Sequence, residues 1–209
     1  MTARGKYDRS QTAAQRHDVT HEKLLDDATE VFAARGYNAT RVDDLVEFSG
    51  ISRRTLYQHF DSVEAILDEV YERAVRINFT TVLQRLMGVL DPIERVYAGV
   101  RAYYELIAEN PAAARVVFDQ YRNAGPVQAA TYELNTNRYA MLMFEFLNVA
   151  YAAKRLGRQP DELTAYALTK ALEAVGVRAL NRKEHATLPE VVPAMARLII
   201  EAFGGSPTE

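Results

Sequence analysis

The 209-residue chain contains no cysteine and no tryptophan. Without thiols there are no disulfides, thiolate metal sites, CxxC redox pairs or cysteine nucleophiles. Long apolar runs are absent as well, and no stretch approaches the roughly eighteen residues that span a bilayer. Met1 to Val19 is polar and charged, without the apolar centre of a secretory signal. A cytoplasmic protein without membrane contact is the expectation. Alternating β-branched runs and Asn-Gly or Asp-Gly hairpins are missing, which removes the usual signs of a sheet. GxSxG, HExxH, P-loop and GxGxxG patterns are missing too, so nothing marks a common enzyme chemistry. The net charge of −3 shows that the chain as a whole is no polycation.

What is present is helical punctuation. Asp91-Pro92-Ile93-Glu94 combines an acceptor at N-cap, proline at the first helical position and glutamate three residues after the cap. Asn110-Pro111 repeats the first two features, and Asp61-Ser62-Val63-Glu64 and Thr187-Leu188-Pro189-Glu190 read as capping boxes or close variants. With breaks at Gly125-Pro126 and between Gly157 and Pro160, the pattern gives nine helices. They fall near 20–35, 41–48, 53–60, 62–87, 92–109, 111–123, 126–156, 160–182 and 189–203. The fold class is all-α. The first three helices are short and crowded with chain reversals, and the rest are long. The chain therefore divides into a basic arm (1–19), a helix-turn-helix head (20–62) and a larger helical body (63–209).

Thr40 to Phe60 carries the sharpest signal. Thr40 is placed to cap a helix bearing Val42, Leu45 and Val46, with Asp43 in the capping-box position. Gly50 makes a tight turn, and Ser52 caps a second short helix, which together form a helix-turn-helix. At about 100° per residue, Leu56 and Phe60 share the inward face of that helix. Arg54, Thr55 and Gln58 share the outward face, with Tyr57 and His59 on its shoulders and no acid among them. Such a face suits the major groove, where arginine pairs with guanine, glutamine with adenine, and Tyr or His reaches phosphate. An ordinary solvated face would mix in Asp or Glu.

Phe32-Ala33-Ala34-Arg35-Gly36-Tyr37, then Thr40, then Gly50-Ile51-Ser52-Arg53-Arg54-Thr55-Leu56-Tyr57-Gln58-His59-Phe60 resembles the signature of TetR-family transcriptional regulators. The resemblance covers about residues 20–67, and the remainder matches in helix number and length. It implies a homodimer that binds double-stranded operator DNA and acts as a repressor answering to a small-molecule effector. It also implies base contacts by Arg53, Arg54 and Thr55, phosphate contacts by Tyr57 and His59, and a phosphate contact by the hydroxyl and backbone N–H of Thr40. With Arg41, Ser52 and Gln58, these residues make up the expected DNA-binding set. Two departures stand out: Val63 and not lysine near the start of helix four, and Val46 in place of the usual alanine in helix two. The arm, with Arg4, Lys6, Arg9 and Arg16 against Asp8, carries +3 over residues 1–17 and is placed to supply the missing phosphate contact.

Twelve tyrosines supply apolar rings with polar tips, which suits an apolar pocket with a few orienting hydroxyls. Bodies of the resembling family hold such a pocket between helices five and eight. The candidates are Phe79, Tyr103, Tyr104, Phe118, Tyr121, Asn135, Tyr139, Phe144 and Tyr166, and the effector class is apolar or aromatic. Tyr71, Val75 and Phe79 on helix 62–87 are candidate pocket-side contacts through which a ligand shifts the spacing of the two reading heads. Helix 160–182 is apolar on two faces, one of them Leu163, Tyr166, Ala167, Ala174 and Val177. Helix 189–203 adds Val191, Met195, Leu198 and Ala202, and the resemblance assigns these positions to the dimer interface.

The alternatives are an all-helical enzyme and a protein-interaction module without DNA binding. No cofactor or metal is expected. His17 and His21 have the i,i+4 spacing of a metal pair but lie near the end of the arm, and Glu-x-x-His pairs of the di-iron bundle type are absent.

Overall fold

The computed structural model describes residues 13–206, and all regular structure among them is helical. The order is α1 (Ala13–Arg35), α2 (Val42–Ser49), α3 (Arg53–His59), α4 (Val63–Leu86), α5 (Pro92–Glu109), α6 (Pro111–Arg115), α7 (Pro126–Ala152), α8 (Glu162–Arg182) and α9 (Val192–Ala202). Most caps follow local chemistry, whereas the Asn110 side chain, an expected cap of α6, makes no capping hydrogen bond and donates to Leu106 O at 3.3 Å. The Ser52 hydroxyl accepts from Thr55 N–H, that of Ser62 from Ala65 N–H, and the Asp161 carboxylate from Thr164 N–H. Asp91 accepts from both Ile93 and Glu94 N–H, which holds its carboxyl below the usual range together with the Arg155 ion pair. Each of these acceptors satisfies amides that the first turn leaves open.

Five boundaries differ from the sequence expectation, one of them the end of α7, which stops at Ala152 and not near 156. α1 begins at Ala13, so Arg16 and His17 lie on the helix, while Arg4, Lys6 and Arg9 of the arm fall outside the described residues. Thr40 does not cap α2. That place belongs to Arg41, whose N–H donates to Asp44 Oδ2 at 2.8 Å, and the Thr40 hydroxyl turns back to Gly36 O. The segment expected as one helix over 111–123 is α6 followed by a wide π turn over Val116–Tyr121. The segment 185–191 is a 3₁₀ turn, and α9 starts after it at Val192.

Two apolar clusters organise the chain. The larger packs α5, α7, α8 and α9 around Ile93, Tyr104, Leu147, Ile199 and Phe203. The second contains Phe32 of α1, Leu45 of α2, Leu56 and Phe60 at α3, and Ile66, Leu67 and Val70 of α4. It is completed by Val116, Val117 and Tyr121 of the π turn and by Tyr132 of α7. The head thus shares its core with the body.

A histidine stack closes the outer side of the α1–α3–α4 junction. The rings of His17 and His59 stack with centroids 4.2 Å apart, His21 stacks on Phe60 at 4.6 Å, and His21 Nε2 meets Glu69 Oε1 at 2.5 Å. These contacts hold the first turns of α1, whose sequence (Ala13 to Val19) lacks an apolar stripe of its own. Burial, reinforced by His17 and His21, holds the His59 imidazole below the ordinary histidine value. The unfolded chain therefore takes up a proton at higher pH than the folded one at this position, so stability falls as pH drops below about 6.5. Urea unfolding at pH 7.5 and 5.5 is expected to give a lower midpoint at the acid value, with a smaller difference in His59→Gln. Phe32→Ala removes a fully buried ring and is expected to cost about 3–5 kcal/mol of head stability by the same measurement.

Candidate nucleic-acid interface and ligand cavity

α3 is anchored by Leu56 and Phe60, 3% and 5% exposed, and these fix which face turns outward. Arg53, Arg54, Tyr57 and Gln58 all stand exposed together on that face. Arg53 pairs with Asp43 of α2, whereas Arg54 has no ion-pair partner among the described residues. Ser52 and Thr55 are tied to one another in the cap, hydroxyl to hydroxyl at 2.9 Å. Arg41 is exposed beside them at the start of α2.

Two expected phosphate contacts are differently placed. Thr40 is buried, with its hydroxyl donating to Gly36 O at 2.8 Å and its N–H to Tyr37 O at 2.9 Å. Both donors that were expected to meet phosphate are engaged within the turn. His59 turns toward His17 and His21, leaving a buried Nδ1 without a partner among the described residues. With its value lowered, the ring is neutral at pH 7 and brings no positive charge to the surface. Val63 packs against the head core.

The body holds a cavity of about 120 Å³ walled by α4, α5, the π turn, α7 and α8. Of the expected residues, Tyr103, Phe118, Asn135 and Tyr139 line it. The other five do not. Phe79 sits edge-on to Tyr139, and Tyr104 is buried in the core with its hydroxyl donating to Leu172 O. Tyr121 stacks on Tyr71 at 3.6 Å, Tyr166 donates to Glu133 at 2.6 Å, and Phe144 lies outside the lining. Tyr71 and Val75 of α4 line the wall, as expected.

Sequence reasoning passed over Gly99 and Glu173. Gly99 lies inside α5, where a side chain would point into open space: an added Cβ meets only Leu86 Cδ2, at 3.9 Å. An interior helical glycine was the available signal. Glu173 is 7% exposed and is held by Lys170 at 3.2 Å and Arg122 at 3.4 Å. Both cations also lie over the Tyr132 ring, at 5.2 and 5.9 Å. The Tyr132 hydroxyl is buried without a hydrogen-bond partner among the described residues. Burial pushes the Tyr71 hydroxyl up to about 12 and raises Tyr103, Tyr132 and Tyr139, with Glu173 adding to the rise at Tyr103 and Tyr132. All four stay neutral and available as hydrogen-bond donors at physiological pH. The cavity is apolar, with a few polar tips and one buried, doubly paired carboxylate.

The outer face of α8 carries the expected interface residues. Leu163 is 77% exposed, Ala167 and Ala174 are exposed, and Tyr166 and Val177 are half-buried. On α9, Leu198 is exposed while Val191, Met195 and Ala202 are half-buried along the edge of the body core.

Among the described residues, no helix is long and apolar enough to cross a membrane. Residues 24–70 match the family model of bacterial regulatory proteins, tetR family. The chain is 30% identical over 131 residues to the HTH-type transcriptional activator FasR of Mycolicibacterium smegmatis, 63% of this chain and 60% of that one. It is 34% identical over 116 residues to the HTH-type transcriptional repressor KstR2 of Rhodococcus jostii, 54% and 57% of the two chains. The matches thus span about three fifths of those relatives' length. Among solved structures, the fatty acid degradation regulator FadR of Bacillus halodurans superposes with a TM-score of 0.81 at 16% identity, over 90% of this chain and 97% of that one. FadR of Bacillus subtilis, solved in complex with stearoyl-CoA, gives 0.77 at 15% identity, over 86% and 97%. At such identities the likeness is one of fold. The head, residues 24–70, is thus similar to that of bacterial regulatory proteins of the tetR family, and the fold of the whole chain is that of the solved regulators.

Proposed function

We propose that the protein is a homodimeric transcriptional repressor that leaves its operator when an acyl-chain effector enters the body cavity. The observation that carries this reading is the exposed, acid-free face of α3, with Arg53, Arg54, Tyr57 and Gln58 standing outward over a buried Leu56 and Phe60. That geometry fits a helix laid in the major groove, with Arg54 and Gln58 at base edges and Tyr57 at the backbone. Arg53 joins them by exchanging Asp43 for a nucleic-acid acceptor.

The effector class follows from the cavity. Its wall is aliphatic and aromatic, with tyrosine hydroxyls offering hydrogen-bond donors at a few points. A fatty acyl chain with a carbonyl at one end meets both demands. The stearoyl-CoA complex of the Bacillus subtilis FadR supports this choice.

The dimer reading rests on α8. Its N-terminus carries Asp161 and Glu162, its C-terminal end Arg178 and Arg182, and small Ala167 and Ala174 lie between them on the exposed face. Two copies crossing antiparallel about a twofold axis place acids against bases and let the helices approach at the alanines. Each contact then occurs twice, as an isologous interface requires.

The direct test is retardation of DNA from upstream of the protein's own coding region, with and without stearoyl-CoA. Specific, salt-sensitive binding that weakens with the acyl-CoA is expected, whereas catalytic turnover without DNA binding would support the enzyme alternative. Arg54→Ala is expected to cost about 1–3 kcal/mol of specific operator affinity, measured by fluorescence anisotropy. Gly99→Leu fills the cavity and is expected to abolish the acyl-CoA response while leaving operator affinity within twofold. Ala174→Arg sets bulk and like charge on the α8 face and is expected to sediment as a monomer with weakened operator binding.

A further inference from the structure

We propose that the π turn Val116–Tyr121 is the switch between cavity and head, and that Gln120 is the positioning residue through which the body holds the turn before α2. The inference rests on the ligand-responsive reading above and specifies how the signal leaves the cavity.

Three contacts converge on this one turn. Val117 and Phe118 form part of the cavity wall. Tyr121 stacks face to face on Tyr71 of α4, 3.6 Å between centroids and 5° between planes, and Tyr71 itself lines the cavity. Between them, Gln120 Oε1 accepts the backbone N–H of Tyr37 at 2.8 Å, a contact between residues 83 apart in sequence. The amide orientation is fixed from the other side, because Gln120 Nε2 donates to Asp119 Oδ2 at 2.8 Å.

The seat for this acceptor is made by Gly36. A Cβ there would lie 3.2 Å from Gln120 Oε1, and the glycine φ of +84° is one that side chains disfavour. Tyr37 in turn opens the short turn that positions α2. Its carbonyl accepts Thr40 N–H at 2.9 Å, and the Thr40 hydroxyl ties back to Gly36 O. α2 begins two residues later, and α3 packs against it. Gln120 thus grips the element on which the reading helix is mounted.

A π turn holds one residue more than an α turn, and such turns collect at functional sites. Reversion to α register changes the facing of the residues beyond it by about 100°. A ligand pressing on Val117 and Phe118 biases this exchange, which carries Gln120 off the Tyr37 amide. The turn before α2 is then released and the orientation of α3 is no longer set by the body. A ligand can shift the exchange only by its different affinity for the two registers.

The experiment uses the full chain with Gln120→Ala, and with the double variant Asp119→Asn/Gln120→Glu. The double variant exchanges donor and acceptor within the pair and keeps an acceptor for Tyr37. Amide hydrogen exchange at Tyr37, operator affinity and the response to stearoyl-CoA are measured for each. In Gln120→Ala the Tyr37 amide is expected to exchange at least tenfold faster, operator affinity to fall at least fivefold, and the acyl-CoA response to shrink toward unity, with an unchanged melting temperature. The double variant is expected to recover wild-type values. Wild-type Tyr37 exchange and operator affinity in Gln120→Ala would overturn the proposal. If stearoyl-CoA leaves the wild-type protein on its operator, the effector reading fails, and the Gln120 link is decided by Tyr37 exchange and basal operator affinity alone.

Discussion

Three short helices of about forty residues do not enclose enough apolar surface to be stable by themselves. The head of this protein therefore completes its core with residues borrowed from the body: Val116, Val117 and Tyr121 of the π turn and Tyr132 of α7, packed against Phe32, Leu67 and Tyr71. Everything else follows from this sharing. The residues that stabilise the head are the same ones, or immediate neighbours of the ones, that wall the cavity. Packed side chains thus join the cavity wall to the head core, beside the Gln120 contact to Tyr37. Interiors packed to crystal density move between discrete arrangements rather than deforming smoothly, which favours a switch over a graded response.

The charge distribution fits the same division of labour. The chain is slightly acidic overall, and residues 1–62 carry nine basic against ten acidic residues. The acids lie mostly on α1 and α2, where Arg35 and Arg53 pair with Asp44 and Asp43. Outward-facing α3 carries none. Such a head has little general attraction for the phosphate backbone, so specificity falls on the few side chains of one seven-residue helix.

Much of this architecture was legible in the sequence because it is written in local chemistry. The caps at Ser52, Ser62 and Asp91 each require an acceptor within three residues of the amides they satisfy. The inward pair Leu56 and Phe60 is fixed by helical spacing alone. What was not legible depends on contacts distant in sequence. Thr40 reads as a cap by local rules, yet its hydroxyl is taken by Gly36 and its burial is decided by the packed head. His59 reads as a surface residue until α1 is found to run back to Ala13 and place His17 against it. The π turn has no sequence mark, because its extra residue is held by Tyr71, Tyr37 and the cavity wall, all far away in the chain. In the body, four of nine aromatic and polar candidates reached the cavity, since periodicity identifies a buried face but not which part of that face is left unfilled.

The central claim is that occupancy of the body cavity repositions the two reading helices of a dimer. The absence of cysteine makes this directly measurable, since a single Glu47→Cys on the exposed surface of α2 gives one spin label per subunit. Double electron–electron resonance then reports the label-to-label distance with and without stearoyl-CoA. With operator DNA bound and no ligand, a single narrow distance is expected, set by two α3 helices about 34–36 Å apart. Saturating stearoyl-CoA is expected to shift that distance by several ångströms and to broaden it. An identical distribution in both conditions, with stearoyl-CoA shown to be bound, would contradict the account.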